Sequence, residues 1–318
     1  MKLWREAMKA RLGIIGWFVL FGFLAYGLRL PAETLTIASY NVENYLATNR
    51  MVDGTYRQDY PKPEAAKQAL RAVIRALGAD VLALEEMGSR SYLEELQRDL
   101  AHDGIAYPYA ELLEAADADR HVAVLSRRPF SAVTKHTDLA FSYFGTKELV
   151  KRGLLEVRFA TEAGEVTIFV VHLKSRFTDR TDDPNSAARR LGEATAVRDQ
   201  VLKIFPVPAA VRFLIVGDCN DCAASKPLKA LAQKGNTSIA EILSAADSRG
   251  ESWTHFYRKE QTYSAVDHVL ASAKLAPVVV GGVVKIFDGI GAASASDHRP
   301  VSVTLKLVPD GKIPAPSE

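Results

Sequence analysis

Cysteine is nearly missing from this chain of 318 residues: only Cys219 and Cys222 are present. A disulfide framework across long loops is thereby excluded, and the core must hold by burial. Their C-x-x-C spacing resembles half of a zinc or redox site. No second pair and no histidines at matching spacing accompany it, so packing or an incidental thiol pair is the reading adopted. Charge of one sign is also lacking. A net charge of +2 excludes a globally basic nucleic-acid binder, and any such binding has to come from a local groove. Internal repeats and low-complexity tracts are missing too. Hydrophobic residues at 48% and charged residues at 25% exclude a disordered chain. The length exceeds the usual single domain, yet sandwiches and barrels of this size fold as one unit.

The longest uncharged apolar run, Leu12 to Leu28, lies near the amino terminus, after Lys2, Arg5, Lys9 and Arg11 with Glu6 as the one acidic residue. It is long for a signal-peptide core and near the lower limit for a spanning helix, and Trp17 and Tyr26 suit a membrane interface. No A-x-A cleavage site is evident before Pro31-Ala32-Glu33. The expectation is an uncleaved signal anchor within residues 1–33, with a cleaved signal peptide as the alternative. The basic flank stays cytoplasmic, so the remainder is exported from a bacterial-type cell, either tethered to the membrane through residues 12–28 or secreted. Residues 34–308 form the expected domain, and 309–318 a flexible tail.

Within that domain, Leu35–Tyr40 alternates as a strand and ends in Asn41-Val42-Glu43-Asn44. Asn49 to Tyr60 is polar and reads as a loop. Pro63 opens a helix with Ala66, Leu70, Val73, Ile74 and Leu77 at helical spacing and Gly78 as its stop. Asp80–Leu84 is a buried strand ending in Glu85-Glu86, and a helix with Ser89 as its cap follows. This order gives an α/β layer. Strands then dominate: His121–Ser126, a hairpin about Glu162–Glu165, and Val166–Val171 running into His172-Leu173-Lys174-Ser175-Arg176. Ser186 to Phe205 is an amphipathic helix with Ala187, Leu191, Ala194, Val201 and Phe205 on one face and Arg190 and Arg198 off it.

Phe213-Leu214-Ile215-Val216 reads as a buried strand, ended by Gly217 where a tight turn is needed. Asp218 and Asn220 then point the same way in an extended backbone, as a pair of oxygen ligands, while Cys219 faces the core. A plain turn is the competing reading, since both residues suit turns. A loop with Trp253, His255, Phe256, Tyr257 and Tyr263 precedes the strand Val266–Leu270, and Ser296-Asp297-His298-Arg299-Pro300 leads into a final alternating strand, Val301–Leu307. One arrangement recurs: a strand ends in polar residues suited to phosphate hydrolysis. Asn41, Glu86, His172, Asp218, Asn220, Asp267, Asp297 and His298 all occupy such ends, where rigid strands support functional loops.

The stretches SYNVEN, DVLALEEM, VVHLKSR, IVGDCND, AVDHV and SDHRPV, in this order, resemble the DNase I-like endonuclease/exonuclease/phosphatase superfamily over Leu35 to Leu307. The resemblance implies an α/β fold, a four-layer sandwich of two mostly antiparallel sheets packed face to face with helices outside. It implies a divalent metal, usually magnesium, and phosphoester cleavage by an activated water. Glu86 resembles the family's metal-ligating glutamate, with Glu85 where the family often has glutamine, and Asn41 and Asp297 are its companions at the metal. Oxygen ligands suit magnesium, manganese or calcium better than zinc. By the same resemblance His298 is the general base, oriented by Asp267; Asp218 positions the water; Asn220 holds a phosphate oxygen; His172 bonds the phosphoryl group. Cys219 departs from the family's common aromatic residue.

Arg152 stands where the family often contacts phosphate. Lys174 and Arg176 follow His172 at alternating spacing and contact a substrate backbone or form a solvated basic edge. The expected activity is metal-dependent phosphodiester hydrolysis with nucleic acid as substrate. A phospholipid or inositol phosphate headgroup hydrolase and a catalytically silent binding domain are the alternatives, which fold alone does not separate.

Overall fold

Two sheets packed face to face make the body of the protein, a computed structural model that describes residues 32–309. The apolar stretch 12–28 and residues 310–318 of the expected tail lie outside them. Among the described residues no helix is long and apolar enough to cross a membrane. The elements of the two sheets and their helices run β1 (Glu33–Tyr45), α1 (Glu64–Leu77), β2 (Val81–Met87), α2 (Arg90–His102), β3 (Tyr109–Leu113), β4 (His121–Ser126), β5 (Ala132–His136), β6 (Leu154–Thr161), β7 (Gly164–His172), α3 (Ala187–Ile204), β8 (Arg212–Asp218), α4 (Lys226–Ala232), β9 (Glu241–Ile242), β10 (Ala245–Ala246), β11 (Asp267–Ala271), β12 (Val284–Ile286), α5 (Ala292–Ala295) and β13 (Val301–Leu307).

The first sheet has the order β10-β12-β13-β1-β2-β4-β3 and the second β9-β11-β8-β7-β6-β5. Each is mostly antiparallel about a central parallel pair, β1 with β2 and β7 with β8, and the first sheet has a second, short parallel pair at its edge, β10 with β12. Strands in the middle of a sheet that is covered on both faces must be apolar on both. β8 accordingly sends Leu214 and Val216 into the core between the sheets and Phe213 and Ile215 outward under α3 and α4. On the first sheet Leu35, Ile37, Val81 and Ala83 point inward, and Ala38, Tyr40, Leu82 and Leu84 meet α1 and α2. Four layers result. Full burial of each Val, Leu or Ile stabilises the sandwich by roughly 1.5–3 kcal/mol.

Three local readings of the sequence change. Thr48–Val52 and Thr55–Tyr60 form a hairpin and not a loop, turning at Asp53 and Gly54, both at positive φ, which is the geometry of a two-residue type I′ turn. Gly217 lies inside β8 and not at a turn. Its φ of +142° and a Cβ position 1.9 Å from the Val171 carbonyl oxygen exclude any side chain there. Arg190 is buried on α3 and not off its inner face. Its guanidinium donates to Asp221 Oδ2 at 3.1 and 3.2 Å and to the carbonyls of Lys174 and Asn185, which satisfies the charge where it lies.

Candidate active site

Along the inner strands the side chains facing the inter-sheet core change from apolar to polar at one end of the sandwich. Leu35 and Ile37 of β1 give way to Ser39 and Asn41, and Val81 and Ala83 of β2 to Glu85. On β7 Ile168 and Val170 lead to His172, and on β8 Leu214 and Val216 lead to Asp218. β11 runs the other way and starts at Asp267 before Val269 and Ala271. Period-two alternation thus puts core and site on the same face. Strand register then lines them up: His172 lies opposite Asp218, Asp218 opposite Asp267, and in the facing sheet Asn41 opposite Glu85.

Asp218, only 1% exposed, is where these residues converge. Its Oδ2 accepts from Asn41 Nδ2 at 3.1 Å and from Asn220 Nδ2 at 3.0 Å, and lies 3.6 Å from His172 Nε2 and 3.9 Å from His298 Nε2. Its Oδ1 accepts the Asn220 backbone N–H at 2.8 Å. Asn220 adopts φ +53°, so the turn reading and the site reading are the same geometry: an Asx turn fixes the carboxylate. Asn220 Nδ2 also donates to the Leu173 carbonyl. Both amide hydrogens of Asn220 are thus engaged within the protein, one of them on Asp218.

His298 Nδ1 lies 2.9 Å from Asp267 Oδ2. Ser296 pins this histidine, its hydroxyl accepting the His298 N–H at 3.0 Å and donating to the Asn41 carbonyl at 2.8 Å. Thr254 Oγ1 accepts the Val266 and Asp267 N–H groups at 3.1 Å. Burial opposes a charged His298, but the carboxylates of Asp267 and Asp218 outweigh it and hold the imidazole well above its usual range. Asp267 is lowered, since His298 and Thr254 overcome its burial. Burial, reinforced by Asp267 and Glu86 against the pull of His298, pushes Asp218 up to about 7. Burial, then Arg152, His298, Arg120 and Lys174, drive His172 well below its usual value, so it is a neutral imidazole. Glu85, fully buried with Ser39 Oγ donating to it at 2.7 Å, is raised well above the carboxylate range by burial.

Glu86 and Asp297 sit at the rim, both half-buried. Glu86 escapes the strand alternation because its φ is +60°, and its Oε2 accepts the Asn44 N–H at 3.0 Å. Glu43 is raised by burial and by Asp297, and Glu86 adds to the rise of Asp218. Lys62 and Arg258 oppose the rise of Glu43, so carboxylates and cations alternate along this edge. Asn41, Glu86 and Asp297 offer amide and carboxylate oxygens, while Cys219 is buried under α3 and α4. Among the described residues, the sets of three carboxylate and imidazole ligand atoms that lie within 4.8 Å of one another are those of Asp218, Asp267 and His298 and of His255, Asp297 and His298, so Asp297 belongs to a group able to hold a metal ion.

Arg152 is 7% exposed and bears on His172, with its Nε 3.0 Å from Asp117 Oδ2. Lys174 spends its ammonium on Ser175 and the Phe177 carbonyl. Arg176 is exposed and joins none of the other candidates. Sequence reasoning missed Arg120, which bonds Asn44 Oδ1 at 2.8 Å and adds positive charge beside His172. It also missed His255, whose Nε2 is 3.8 Å from Asp297 Oδ2 and whose ring centroid is 4.5 Å from that of His298. The His-Phe-Tyr run at 255–257 was the available signal, read only as aromatic.

The same architecture occurs in solved structures. Sphingomyelinase C from Streptomyces griseocarneus shares it at TM-score 0.57 and 16% identity, over 86% of this chain and 99% of that one. A beta toxin mutant from Staphylococcus aureus with bound magnesium ions does so at 0.60 and 16%, over 86% and 100%. Truncated Caenorhabditis elegans TDP2 gives 0.55 and 15%, over 86% and 97%. No curated protein matches the sequence. The model of the Endonuclease/Exonuclease/phosphatase family matches residues 38–298, from the inner end of β1 through His298. A match that takes in every strand end meeting at Asp218 shows that the chain belongs to this family.

Proposed function

We propose that this chain hydrolyses phosphodiester bonds of nucleic acid with the help of a divalent cation held by Asn41, Glu86 and Asp297. Magnesium is the expected ion, with manganese or calcium as substitutes. The observation that carries the reading is the 2.9 Å contact of His298 Nδ1 with Asp267 Oδ2, beside an Asp218 carboxyl 3.9 Å from the free Nε2. An imidazole so placed takes a proton from water at Nε2, and Asp267 stabilises the resulting cation. Asp218 aligns that water. The water oxygen bonds phosphorus as the ester P–O bond breaks, and the neutral His172 donates to a phosphoryl oxygen. The cation, when bound, would neutralise charge on the phosphoryl oxygens.

Support for nucleic acid over a zwitterionic lipid headgroup comes from the basic groups about His172, Arg120, Arg152 and Lys174, of which Arg152 is paired with Asp117 and Lys174 with Ser175 and Phe177, so Arg120 is the one placed to meet a substrate phosphate. The neighbours do not choose, since one is named a sphingomyelinase and another TDP2. Export through residues 12–28 belongs to the same proposal and is read by membrane fractionation. The full chain incubated with fluorescent DNA, RNA, sphingomyelin and phosphoinositide, in magnesium or in chelator, tests the activity. Cleavage of nucleic acid should vanish with chelator and fall by roughly a hundred- to ten-thousand-fold in His298→Ala. Equal turnover by that variant would remove the assigned base, and turnover of lipid alone would remove nucleic acid.

A further inference from the structure

Beside Asp297 opens a groove of about 660 Å³ that also touches Ser296, the residue that pins His298. One wall is aromatic. Tyr263 is 56% exposed and yet held on two sides, edge-on to Trp253 with centroids 4.8 Å apart and stacked on Phe256 at 4.6 Å and 26°. Phe256 and Tyr263 are cross-strand partners in the hairpin His255–Tyr257/Thr262–Ser264. The Phe256 N–H donates to the Asp297 carbonyl at 2.9 Å, so the wall is tied directly to the site. Trp253 is fixed in turn by the Arg299 guanidinium, 3.4 Å from its ring centroid. An exposed ring immobilised before anything binds offers contact area at little further loss of freedom.

The rest of the lining selects the ring. Arg249, Arg258 and Arg299 face the groove against Asp288 and Asp297. Arg299 is bound to Asp247, but Arg258 gives one N–H to the Ala293 carbonyl and keeps the others. Aromatic walls also suit a quaternary ammonium, but here it would meet the Arg258 guanidinium, which has no carboxylate partner among the described residues, whereas Arg249 and Arg299 are both paired with Asp247. A planar ring attached to an anion meets stacking and positive charge together. The part of the lining from α5 and the residue before it carries only small side chains, at Gly291, Ala292, Ala293 and Ser294.

We infer that this groove receives the base of the nucleotide beside the scissile phosphate, stacked on Tyr263 with Arg258 near its phosphate, an inference that rests on the nucleic-acid reading above. Trp253 reports occupancy, because the chain has 3 tryptophans and Trp253→Phe supplies the background from Trp4 and Trp17. The full chain in chelator is titrated with nucleoside monophosphates, inorganic phosphate and phosphocholine while its emission is followed. A saturable change with the nucleotides is expected, absent in Trp253→Phe, weakened roughly 5- to 150-fold in Tyr263→Ala and kept in Tyr263→Phe. An unchanged affinity in Tyr263→Ala, an equal response to inorganic phosphate, or tighter binding of phosphocholine would each overturn the groove assignment. Cleavage of an oligonucleotide by the wild type in magnesium is scored separately. Cleavage without a nucleotide response removes the groove alone, and a nucleotide response without cleavage removes the nuclease reading alone.

Discussion

Replacing Asp267 by asparagine keeps the shape of a buried side chain and removes its charge. The perturbed contact is the 2.9 Å bond to His298 Nδ1, made by a carboxyl only 3% exposed. A hydrogen bond to a charged group contributes about 1.5–3 kcal/mol net, and about 1.4 kcal/mol is one pH unit or one decade in rate. Asp267 raises the His298 pKa, so its loss lowers that pKa. The base works as neutral imidazole, present above its pKa. The rising limb of the pH–rate profile therefore moves to lower pH in Asp267→Asn. Its plateau falls by roughly 10- to 150-fold, because the imidazolium formed in the transition state loses its partner. KM stays close to wild type, since no substrate contact is removed. The assay is steady-state cleavage of a labelled oligonucleotide at saturating magnesium across the pH range. An unmoved limb, or a change confined to KM, would refute the pairing as the source of base strength.

Glu86→Gln and Asp297→Asn each remove a proposed cation ligand. Both should shift the magnesium concentration for half-maximal activity upward by at least the roughly 10- to 100-fold that outer-shell changes produce, with rescue at high metal. Gly217→Ala should destabilise the fold by about 4 kcal/mol, the upper range for one substitution, because its Cβ would lie 1.9 Å from the Val171 oxygen; denaturant midpoints measure it. Asp183 accepts the Ala188 and Arg189 N–H groups and the Tyr143 hydroxyl at the start of α3, and these donors overcome its burial and lower its pKa. A lowered carboxyl contributes stability above its unfolded pKa, about 3.9, and loses it as pH falls through the folded value. Asp183→Ala should therefore melt below wild type at neutral pH, and the gap should close in acid.

What the sequence made legible follows from how far along the chain each cause acts. The strands that carry the site alternate within a few residues, and that local pattern already places Asn41, His172, Asp218 and Asp267 at strand ends. The hairpin 48–60 was hidden because its strands are exposed and polar, so composition spoke for a loop while Asp53-Gly54 carried the turn signal. Arg190 was misplaced because a helical face is read from residue type. The partners that make its burial tolerable, Asp221 and two carbonyls, come from other segments. Glu85 and Glu86 separate these levels most sharply. Alternation sends Glu85 inward, where burial outweighs the Ser39 hydroxyl and the charge of His298 and raises it well above the carboxylate range. Only a residue at φ +60° breaks the alternation and brings Glu86 to the rim. Adjacent carboxyls thus take opposite places, one in the core and one at the rim, through one backbone angle, which no pattern of residue types encodes.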